Sequence, residues 1–250
     1  MNKGTKEGTI EEVNFVKKLN KDKKNLFWNK LINKKDLSEI FAVRVNTKKF
    51  GKINGEKVLP KSDVFLIETK DISLEELQKK DFLLEENDLE KIKFKIIPES
   101  GISIKRIDSI KYQILKMSPN TFKKVFGNYE LGAGASIYCN EKELEKNKSV
   151  LRGWKTNEQE ILSFFKEENL NLDSCKRIKT KSNQNIFEMI NTIKKISDFV
   201  FKGTGNFEEP FLANWFYERG NLSKSEKIPF IITTGSGRSK GVFTLVVKPK

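Results

Sequence analysis

Apolar residues occur along the chain in short runs separated by lysine-rich polar stretches, and the spacing within each run predicts its secondary structure. In the first twenty residues the apolar side chains recur at helical spacing, at Ile10, Val13, Val16 and Leu19. Because Thr9 and Glu12 match a capping box, we predict a helix from about 10 to 20. Helices are also predicted at 26–40, 107–117, 156–169, 183–201 and 211–217.

Strand-like runs lie between these helices. Residues 64–67 are rich in β-branched and aromatic side chains, which predicts a strand that is buried on both faces. Residues 101–106 alternate apolar with polar side chains and predict a second strand. Further strands are predicted at 41–45, 92–97, 228–233 and 242–247, and a loop of small residues at 127–136.

An acidic residue, Asp63, immediately precedes the 64–67 strand. A carboxylate in this position is costly to remove from water unless a cation lies opposite it. Lys105, on the second strand, can supply that cation. An acid on one strand and a lysine on the next also suit a divalent metal ion and the water that it activates.

The composition narrows the chemistry that this pair can perform. Lys and Arg number 48 against 34 Asp and Glu, so the formal net charge is +14, and a polyanion is the natural partner. The alternative is that much of this lysine is solvated helix surface. The chain has no histidine, which excludes Ser-His-Asp hydrolysis, His-ligated zinc and nucleases with a histidine base. Phosphodiester hydrolysis would have to use carboxylates, lysine and a hard metal ion.

Two lysines compete for the place beside Asp63. Lys70 and Glu68 form the Glu-x-Lys half of a nuclease signature. However, they lie seven and five residues from Asp63, and odd separations put them on the opposite face of a straight strand. Lys105 can face Asp63 directly, with Ser103 on the same face. We therefore prefer Asp63, Ser103 and Lys105, and keep Glu68 and Lys70 as the alternative catalytic pair.

In the preferred set a serine replaces the usual second carboxylate, so a metal-binding acid must come from elsewhere. Glu12 and Glu99 are the candidates. Glu12 lies one turn before Val16, beside the inward apolar stripe, and is placed to reach the edge of the sheet; the alternative is that it only caps the helix. The predicted catalytic residues are Asp63, Ser103, Lys105 and Glu12, and the predicted metal ligands are Asp63, Glu12 and Glu99.

Four short segments follow one another in an order that is shared with a known family. They are Gly8 to Asn20 with Glu12, Phe15 and Leu19, then Pro60-Lys61-Ser62-Asp63, then Ile102-Ser103-Ile104-Lys105, then Ser118-Pro119-Asn120-Thr121-Phe122. In these segments the chain resembles the PD-(D/E)xK nucleases and, among them, the type II restriction endonucleases. It departs from them in the missing acid two residues before Lys105 and in a long insertion after Asp63.

The resemblance implies a fold, an activity and partners. The fold would be α/β (α+β), restriction-endonuclease-like, with a central mixed β-sheet flanked by helices. The activity would be Mg²⁺-dependent cleavage of double-stranded DNA at a short sequence, with a cognate DNA methyltransferase protecting the host. Residues 1–250 would form a single nuclease domain, with a catalytic core at about 1–130, while 131–250 adds helices, a C-terminal β-hairpin and DNA-contacting loops. A homodimer is one assembly that fits this activity.

Several polar and cationic residues are predicted to contact DNA. They are Lys61, Arg106, Asn120, Arg238 and Lys240, of which the last two lie in the glycine-rich loop of the C-terminal hairpin. The alternative for that loop is a solvated hairpin tip that happens to be basic. If the loop reads bases, arginine is the residue that can bridge O6 and N7 of guanine.

Three other functions fit parts of the same pattern. A non-catalytic DNA-binding protein would explain the charge and would make Asp63 a buried salt-bridge partner of Lys105. A DNA-repair or transposition nuclease of the same fold would use the same residues. A structural or interaction protein would need no nucleic acid at all.

The cysteine content and the hydropathy predict a compartment. Cys139 and Cys175 show no pairing pattern, and no signal peptide is seen, so we predict a cytoplasmic protein. No apolar run approaches the length of a membrane span. A chain of 250 residues fits one large domain or two small ones.

Overall fold

The structure, a computed structural model, describes residues 3–47, 49–53, 55–109, 111–140, 148–167, 194–195, 198, 207–208, 212–234 and 243–250. The chain divides into two compact units. Unit 1 consists of residues 1–110 and 200–227, and unit 2 consists of residues 111–199 and 228–250. Unit 1 differs from the predicted core of about 1–130, because it lacks 111–130 and includes 200–227. The single nuclease domain stays a prediction.

The described helices are α1 (Lys3–Lys21), α2 (Leu26–Leu31), α3 (Leu74–Lys79), α4 (Pro119–Phe126), α5 (Glu130–Asn140), α6 (Lys148–Gly153) and α7 (Glu158–Glu167). The described strands are β1 (Ile40–Arg44), β2 (Lys52–Ile53), β3 (Glu56–Lys57), β4 (Val64–Glu68), β5 (Lys95–Ile96), β6 (Ile102–Ile104), β7 (Leu115–Met117), β8 (Phe207–Glu208), β9 (Trp215–Glu218), β10 (Asn221–Lys224), β11 (Phe230–Thr234) and β12 (Leu245–Pro249). In this part of the chain, no helix combines the length and the apolar character that crossing a membrane requires.

A mixed sheet forms the centre of unit 1. Its strand order is β1-β4-β6-β9-β10, and β5 pairs with the far end of β4. β6 and β9 run parallel, whereas the other paired strands of this sheet are antiparallel. A small second sheet joins β3, β2 and β8. The predicted mixed central sheet is therefore confirmed.

Helices cover both faces of the central sheet. β1 and β4 bury the side chains of their first four residues. On one face Leu66 belongs to the same buried cluster as Val16 of α1. On the opposite face Phe65 belongs to the same cluster as Leu77 of α3. This double burial explains why the 64–67 run is apolar throughout, and it confirms a mixed α+β fold with flanking helices.

Buried Asn20 fixes the end of α1 against β1. Its Nδ2 donates to the carbonyl oxygen of Ala42 at 2.9 Å, and its Oδ1 accepts from the Ala42 N–H at 2.8 Å. The same Nδ2 donates to the carbonyl oxygen of Phe82 at 3.0 Å. Because α1 is held in this way, Glu12, about two turns earlier, is carried to the end of β1 where Arg44 lies.

A polar turn at 98–100 separates β5 from β6, although both strands pair with β4. Ser100 Oγ accepts from the N–H of Leu66 at 3.0 Å and donates to the carbonyl oxygen of Ile97 at 2.6 Å. At the following Gly101, an added Cβ would lie 1.8 Å from the carbonyl oxygen of Leu212. The turn sets the register in which β6 runs beside the start of β4.

Unit 2 contains a three-stranded antiparallel sheet in the order β11-β12-β7, together with α4 to α7. The pairing of β11 with β12 confirms the predicted C-terminal hairpin. α4 begins with Ser118 as N-cap and Pro119 in the first turn. Phe122 of this helix packs against Trp154, with the two rings edge to face and their centroids 5.5 Å apart.

Four predictions of secondary structure are wrong. Thr9 does not cap the first helix, because α1 begins at Lys3 and Thr9 lies inside it. Residues 107–117 do not form the predicted helix, because Leu115 pairs with Val247 and this strand pairing overrides the local helical spacing. Residues 127–136 are not a loop, since α5 begins at Glu130. Residues 211–217 are not a helix, since β9 begins at Trp215. The helix at 26–40 and the strand at 92–97 are shorter than predicted, and 183–201 lies almost wholly outside the described residues.

Candidate active site

Asp63 lies immediately before β4 and is held by backbone hydrogen bonds to two neighbouring segments. Its N–H donates to the carbonyl oxygen of Ile102 at 2.8 Å, and its carbonyl oxygen accepts from the N–H of Val45 at 2.9 Å. Its side-chain Oδ2 accepts from the N–H of Ile104 at 2.6 Å and from Ser103 Oγ at 3.0 Å. The carboxylate is therefore fixed against the end of β6.

Lys105 extends this arrangement into a chain of hydrogen bonds. Its Nζ donates to Ser103 Oγ at 2.8 Å, and Ser103 Oγ in turn donates to Asp63 Oδ2. The same Nζ lies 5.3 Å from the centre of the Phe216 ring. The parallel register of β6 and β9, which sets Ser103 opposite Phe216, brings that ring to the lysine. The preferred triplet of Asp63, Ser103 and Lys105 is thus in mutual contact.

Burial acts against the charged forms of both end groups. It raises the pKa of the Asp63 carboxyl, and the opposing effects of the Lys105 charge and of the two hydrogen bonds are smaller. Burial likewise lowers the pKa of the Lys105 ammonium, against the opposing charges of Asp63 and Glu218. The result is an amine that gives up its proton more readily than an exposed lysine does.

Glu12 of α1 joins the same group from the helix side. Burial, followed by the negative charge of Asp63, raises the pKa of Glu12, while Arg44 lowers it. Arg44 Nε donates to Glu12 Oε2 at 2.9 Å, and its Nη1 donates to Glu85 Oε1 at 2.7 Å. Arg44 therefore orients Glu12 while Glu12 experiences the charge of Asp63.

No protein-family model, curated protein sequence or solved structure matches this chain. The geometry of this group of side chains is therefore what indicates the chemistry of the protein.

The alternative pair and the third predicted metal ligand lie elsewhere in unit 1. Glu68, the last residue of β4, accepts a hydrogen bond from Lys34 Nζ at 2.6 Å. Lys70 Nζ lies 3.7 Å from Glu39 Oε1. Glu99 precedes β6, at the end away from Lys105, and lines a surface pocket of about 190 Å³. It has a left-handed backbone with φ of 56°. The structure therefore does not bring Glu68, Lys70 or Glu99 to Asp63.

The predicted DNA contacts fall into different surroundings. Lys61 is half-buried, burial lowers its pKa, and it contacts no carboxylate among the described residues. Arg106 Nη2, in contrast, contacts Glu7 at 2.7 Å and Asp108 at 2.5 Å, so its charge is already balanced. The other three belong to unit 2: Asn120 accepts from Lys155 Nζ at 2.8 Å, and Arg238 and Lys240 lie outside the described residues.

Asp63 and Glu12 are the two acids of this site that could share a metal ion. In the described ranges no three side chains of the Asp, Glu, Cys or His types come together to hold one. Asp63 and Glu12 are the pair whose charges interact, with the Ser103 hydroxyl beside them. Mg²⁺ is commonly held by one or two carboxylates together with phosphate oxygens of the substrate, so this donor set fits it.

Sequence reasoning missed three members of the site: Arg44, Phe216 and Glu218. Arg44 carried the same signal as Asp63, a charge at the end of an otherwise apolar strand. Phe216 and Glu218 carried no such signal, because the aromatic residues of 211–217 predict a helix. The alternation of faces along a strand therefore gives no expectation for β9.

Proposed function

We propose that this protein is an Mg²⁺-dependent endonuclease that cleaves double-stranded DNA as a type II restriction enzyme. The observation that carries the proposal is the chain of hydrogen bonds from Lys105 through Ser103 to Asp63, with Glu12 beside it. Two carboxylates next to a half-buried amine are the groups that metal-assisted hydrolysis of a phosphodiester needs. The sequence resemblance to the PD-(D/E)xK nucleases supports the same activity.

Asp63 and Glu12 are the residues that would hold Mg²⁺. Both offer hard oxygen ligands, and the charge of Asp63 already raises the pKa of Glu12, so a cation bound by both would relieve an existing repulsion. When bound, Mg²⁺ would polarise the scissile phosphate and make a bound water more acidic. Arg44 keeps Glu12 in position for this role.

Lys105 is placed to take the proton of the attacking water. Because burial lowers its pKa, more of the amine is neutral near pH 7 than in an exposed lysine. Ser103 Oγ accepts a hydrogen bond from Nζ and so fixes the direction of the amine. In the hydrolytic step the water oxygen bonds to phosphorus, Nζ takes the water proton, and the bond to the leaving deoxyribose oxygen breaks. The leaving oxygen then takes a proton from solvent.

Lys61 is the cation that we assign to the substrate phosphate. It lies two residues before Asp63, is half-buried and is not engaged by a carboxylate in the described part of the chain. A lysine in these surroundings gains a favourable partner when an anion arrives. The restriction assignment adds a short recognition sequence, a cognate methyltransferase and a homodimer that would serve the two DNA strands.

Incubation with unmethylated plasmid DNA tests the cleavage proposal. We expect fragments with defined ends in the presence of Mg²⁺ and none with EDTA. Asp63→Asn should abolish cleavage and leave metal-free DNA binding intact, since Asp63 is a metal ligand rather than a DNA anchor. Lys70→Ala, beyond the other end of β4, is the control and should cleave normally. Full cleavage by Asp63→Asn would contradict the proposed site.

A non-catalytic DNA-binding protein is the second candidate. The observation that favours it is that Arg44 forms ion pairs with both Glu12 and Glu85. Glu12 therefore has a positive partner within the protein itself. In that case Asp63 and Lys105 would be a structural pair. DNA binding with the same affinity in Mg²⁺ and in EDTA, and no cleavage in either, would select this function.

A further inference from the structure

Two lysine side chains of unit 2 are held over one tyrosine ring. The group, named the Tyr129 cluster, consists of Asn120, Lys123, Tyr129 and Lys155. The Nζ atoms of Lys123 and Lys155 lie 4.8 and 5.5 Å from the centre of the Tyr129 ring. Lys155 Nζ also donates to Asn120 Oδ1 at 2.8 Å. Ring and amide together fix the positions of two exposed ammonium groups.

No carboxylate among the described residues pairs with either ammonium group of the cluster. The neighbouring acid, Glu130, accepts instead from the backbone N–H of Tyr129 at 2.9 Å. Two like charges directed at one ring repel each other, and a cation–π contact at an exposed site is weak. An anion that contacts both lysines would therefore be stabilised.

The backbone at Lys155 indicates that the lysine side chain itself has a use. Lys155 follows α6 with a φ of 56°, in the left-handed region that glycine adopts at lower cost. Its N–H donates to the carbonyl oxygen of Arg152 at 3.0 Å, as at a helix end. Stability alone would favour glycine here, and the contacts of Nζ with Asn120 and Tyr129 are what a glycine would lose.

We propose that the Tyr129 cluster binds a phosphate group of the DNA backbone. A phosphodiester has two non-bridging oxygens and one negative charge, so its oxygens can accept hydrogen bonds from an exposed lysine that lacks an acidic partner. The identity of this ligand rests on the proposed function, but the contact takes no part in the chemistry at Asp63. Such a contact positions DNA without reading its sequence.

The charge of unit 2 supports a polyanion as the ligand. Unit 2 has 20 Lys and Arg against 11 Asp and Glu, whereas unit 1 has 28 against 23. A DNA backbone, which repeats its charge, matches such an excess better than a single small anion does. DNA is also favoured over a membrane surface, because Tyr129 is half-buried beneath the lysines and is not free to enter a bilayer.

Metal-free binding of a short labelled duplex, measured by fluorescence anisotropy over about 50 to 200 mM salt, tests the proposal. Lys123→Gln and Lys155→Gln are each expected to weaken binding roughly five- to tenfold near 100 mM salt. Each should also make the slope of log K against log salt shallower by about 1, and the double variant by about 2. Lys166→Gln, an exposed lysine of α7 without this ring and amide, is the matched control and should change the slope far less.

Lys155→Gly separates a binding defect from a folding defect. It removes the side chain but relaxes the left-handed backbone, so binding should fall as in Lys155→Gln while the melting temperature stays equal or rises.

A double variant that binds DNA with the wild-type salt slope overturns the proposal, even if plasmid is cleaved. A shallower slope in a protein that never cleaves supports the cluster and overturns the nuclease. A wild-type protein that binds no DNA overturns both, and lost binding to phosphatidylserine vesicles with DNA binding intact assigns the cluster to lipid instead.

Discussion

Several cations of unit 1 pair with acids, whereas the Tyr129 cluster of unit 2 leaves two charges facing solvent. In unit 1, Lys17 pairs with Asp81 and Lys34 with Glu68, each at 2.6 Å, and Arg106 is engaged by two acids. In unit 2, Lys123 and Lys155 contact an aromatic ring and an amide, neither of which cancels a charge. The difference teaches that net charge alone does not locate a DNA-binding surface. A DNA-binding surface is indicated by cations that are held in place without an acidic side chain to neutralise them.

The same contrast separates chemistry from affinity. The buried charges of unit 1 converge on Asp63, where burial shifts their pKa values and suits them to proton transfer. The lysines of the Tyr129 cluster are exposed, which suits them to phosphate contacts. If this division holds, variants in the two units should fail in different assays.

The largest expected effect is that of Lys105→Ala on cleavage. Loss of the amine that takes the water proton should lower the cleavage rate roughly 10²- to 10⁴-fold, the usual range for general base catalysis. DNA binding should remain, because Lys105 is half-buried beside Phe216 and its Nζ is engaged by Ser103. The measurement is single-turnover cleavage at saturating protein.

Lys123→Gln is the control from the other unit. At saturating protein it should cleave at nearly the wild-type rate, since it weakens binding and leaves the chemistry unchanged. Equal loss of rate in both variants would break the proposed division between the units.

A comparison of two helical glycines should give the next largest effect. At Gly132 in α5, an added Cβ would lie 2.2 Å from the Trp154 ring, whereas at Gly8 in α1 nothing lies within 4 Å. Gly132→Ala should therefore destabilise the protein by about 1–3 kcal/mol despite the better helix propensity of alanine. Gly8→Ala should stabilise by up to about 1 kcal/mol. Chemical denaturation of both variants is the measurement, and a stabilised Gly132→Ala would show that the Trp154 ring can move aside.

Much of the fold of unit 1 could be predicted from local pattern. The strands around Val43 and Leu66 are buried on both faces, and such strands are apolar without interruption, which leaves a strong signal. A charge that interrupts such a run also stands out, and this is why Asp63 was found. Glu12 was found because helical spacing gave the face on which it lies.

The failures came where distant pairing or close packing decides the structure. Leu115 and Met117 have helical spacing, but β12 supplies strand partners that are about 130 residues away in sequence. The small residues around Gly132 suggested a loop, whereas they permit a helix to approach Trp154. The Tyr129 cluster joins residues from three segments, and no local pattern could have brought Lys155 to Asn120.

A smaller effect, with a defined pH dependence, is expected from Asp63→Asn on stability. Because burial raises the pKa of Asp63, the folded state holds the proton more tightly than the unfolded chain does. The associated stability is complete below the unfolded pKa of about 3.9 and is lost as the pH rises through the raised folded value. The variant avoids this loss, so its advantage should be absent near pH 4 and should grow as the pH rises toward 7.

Urea denaturation of wild type and Asp63→Asn at the two pH values is the measurement. A variant that is less stable than wild type near pH 7 would mean that the attraction of Asp63 to Lys105 exceeds the cost of burying the carboxylate. Asp63 would then be a structural ion pair, as the non-catalytic alternative requires.

The smallest expected effect belongs to a paired lysine of unit 1, and it sharpens the comparison most directly. Lys34 Nζ lies 2.6 Å from Glu68, with both side chains partly exposed, and such surface pairs contribute about 0–1 kcal/mol. Lys34→Gln should therefore change the free energy of unfolding by less than about 1 kcal/mol. It should also leave the salt slope of DNA binding unchanged, because a lysine that is engaged by an acid releases no counterion from a phosphate. Lys34→Gln and Lys155→Gln remove the same charge from the protein, so a common decrease of the slope would show that net charge, and not the freedom of the cation, determines binding.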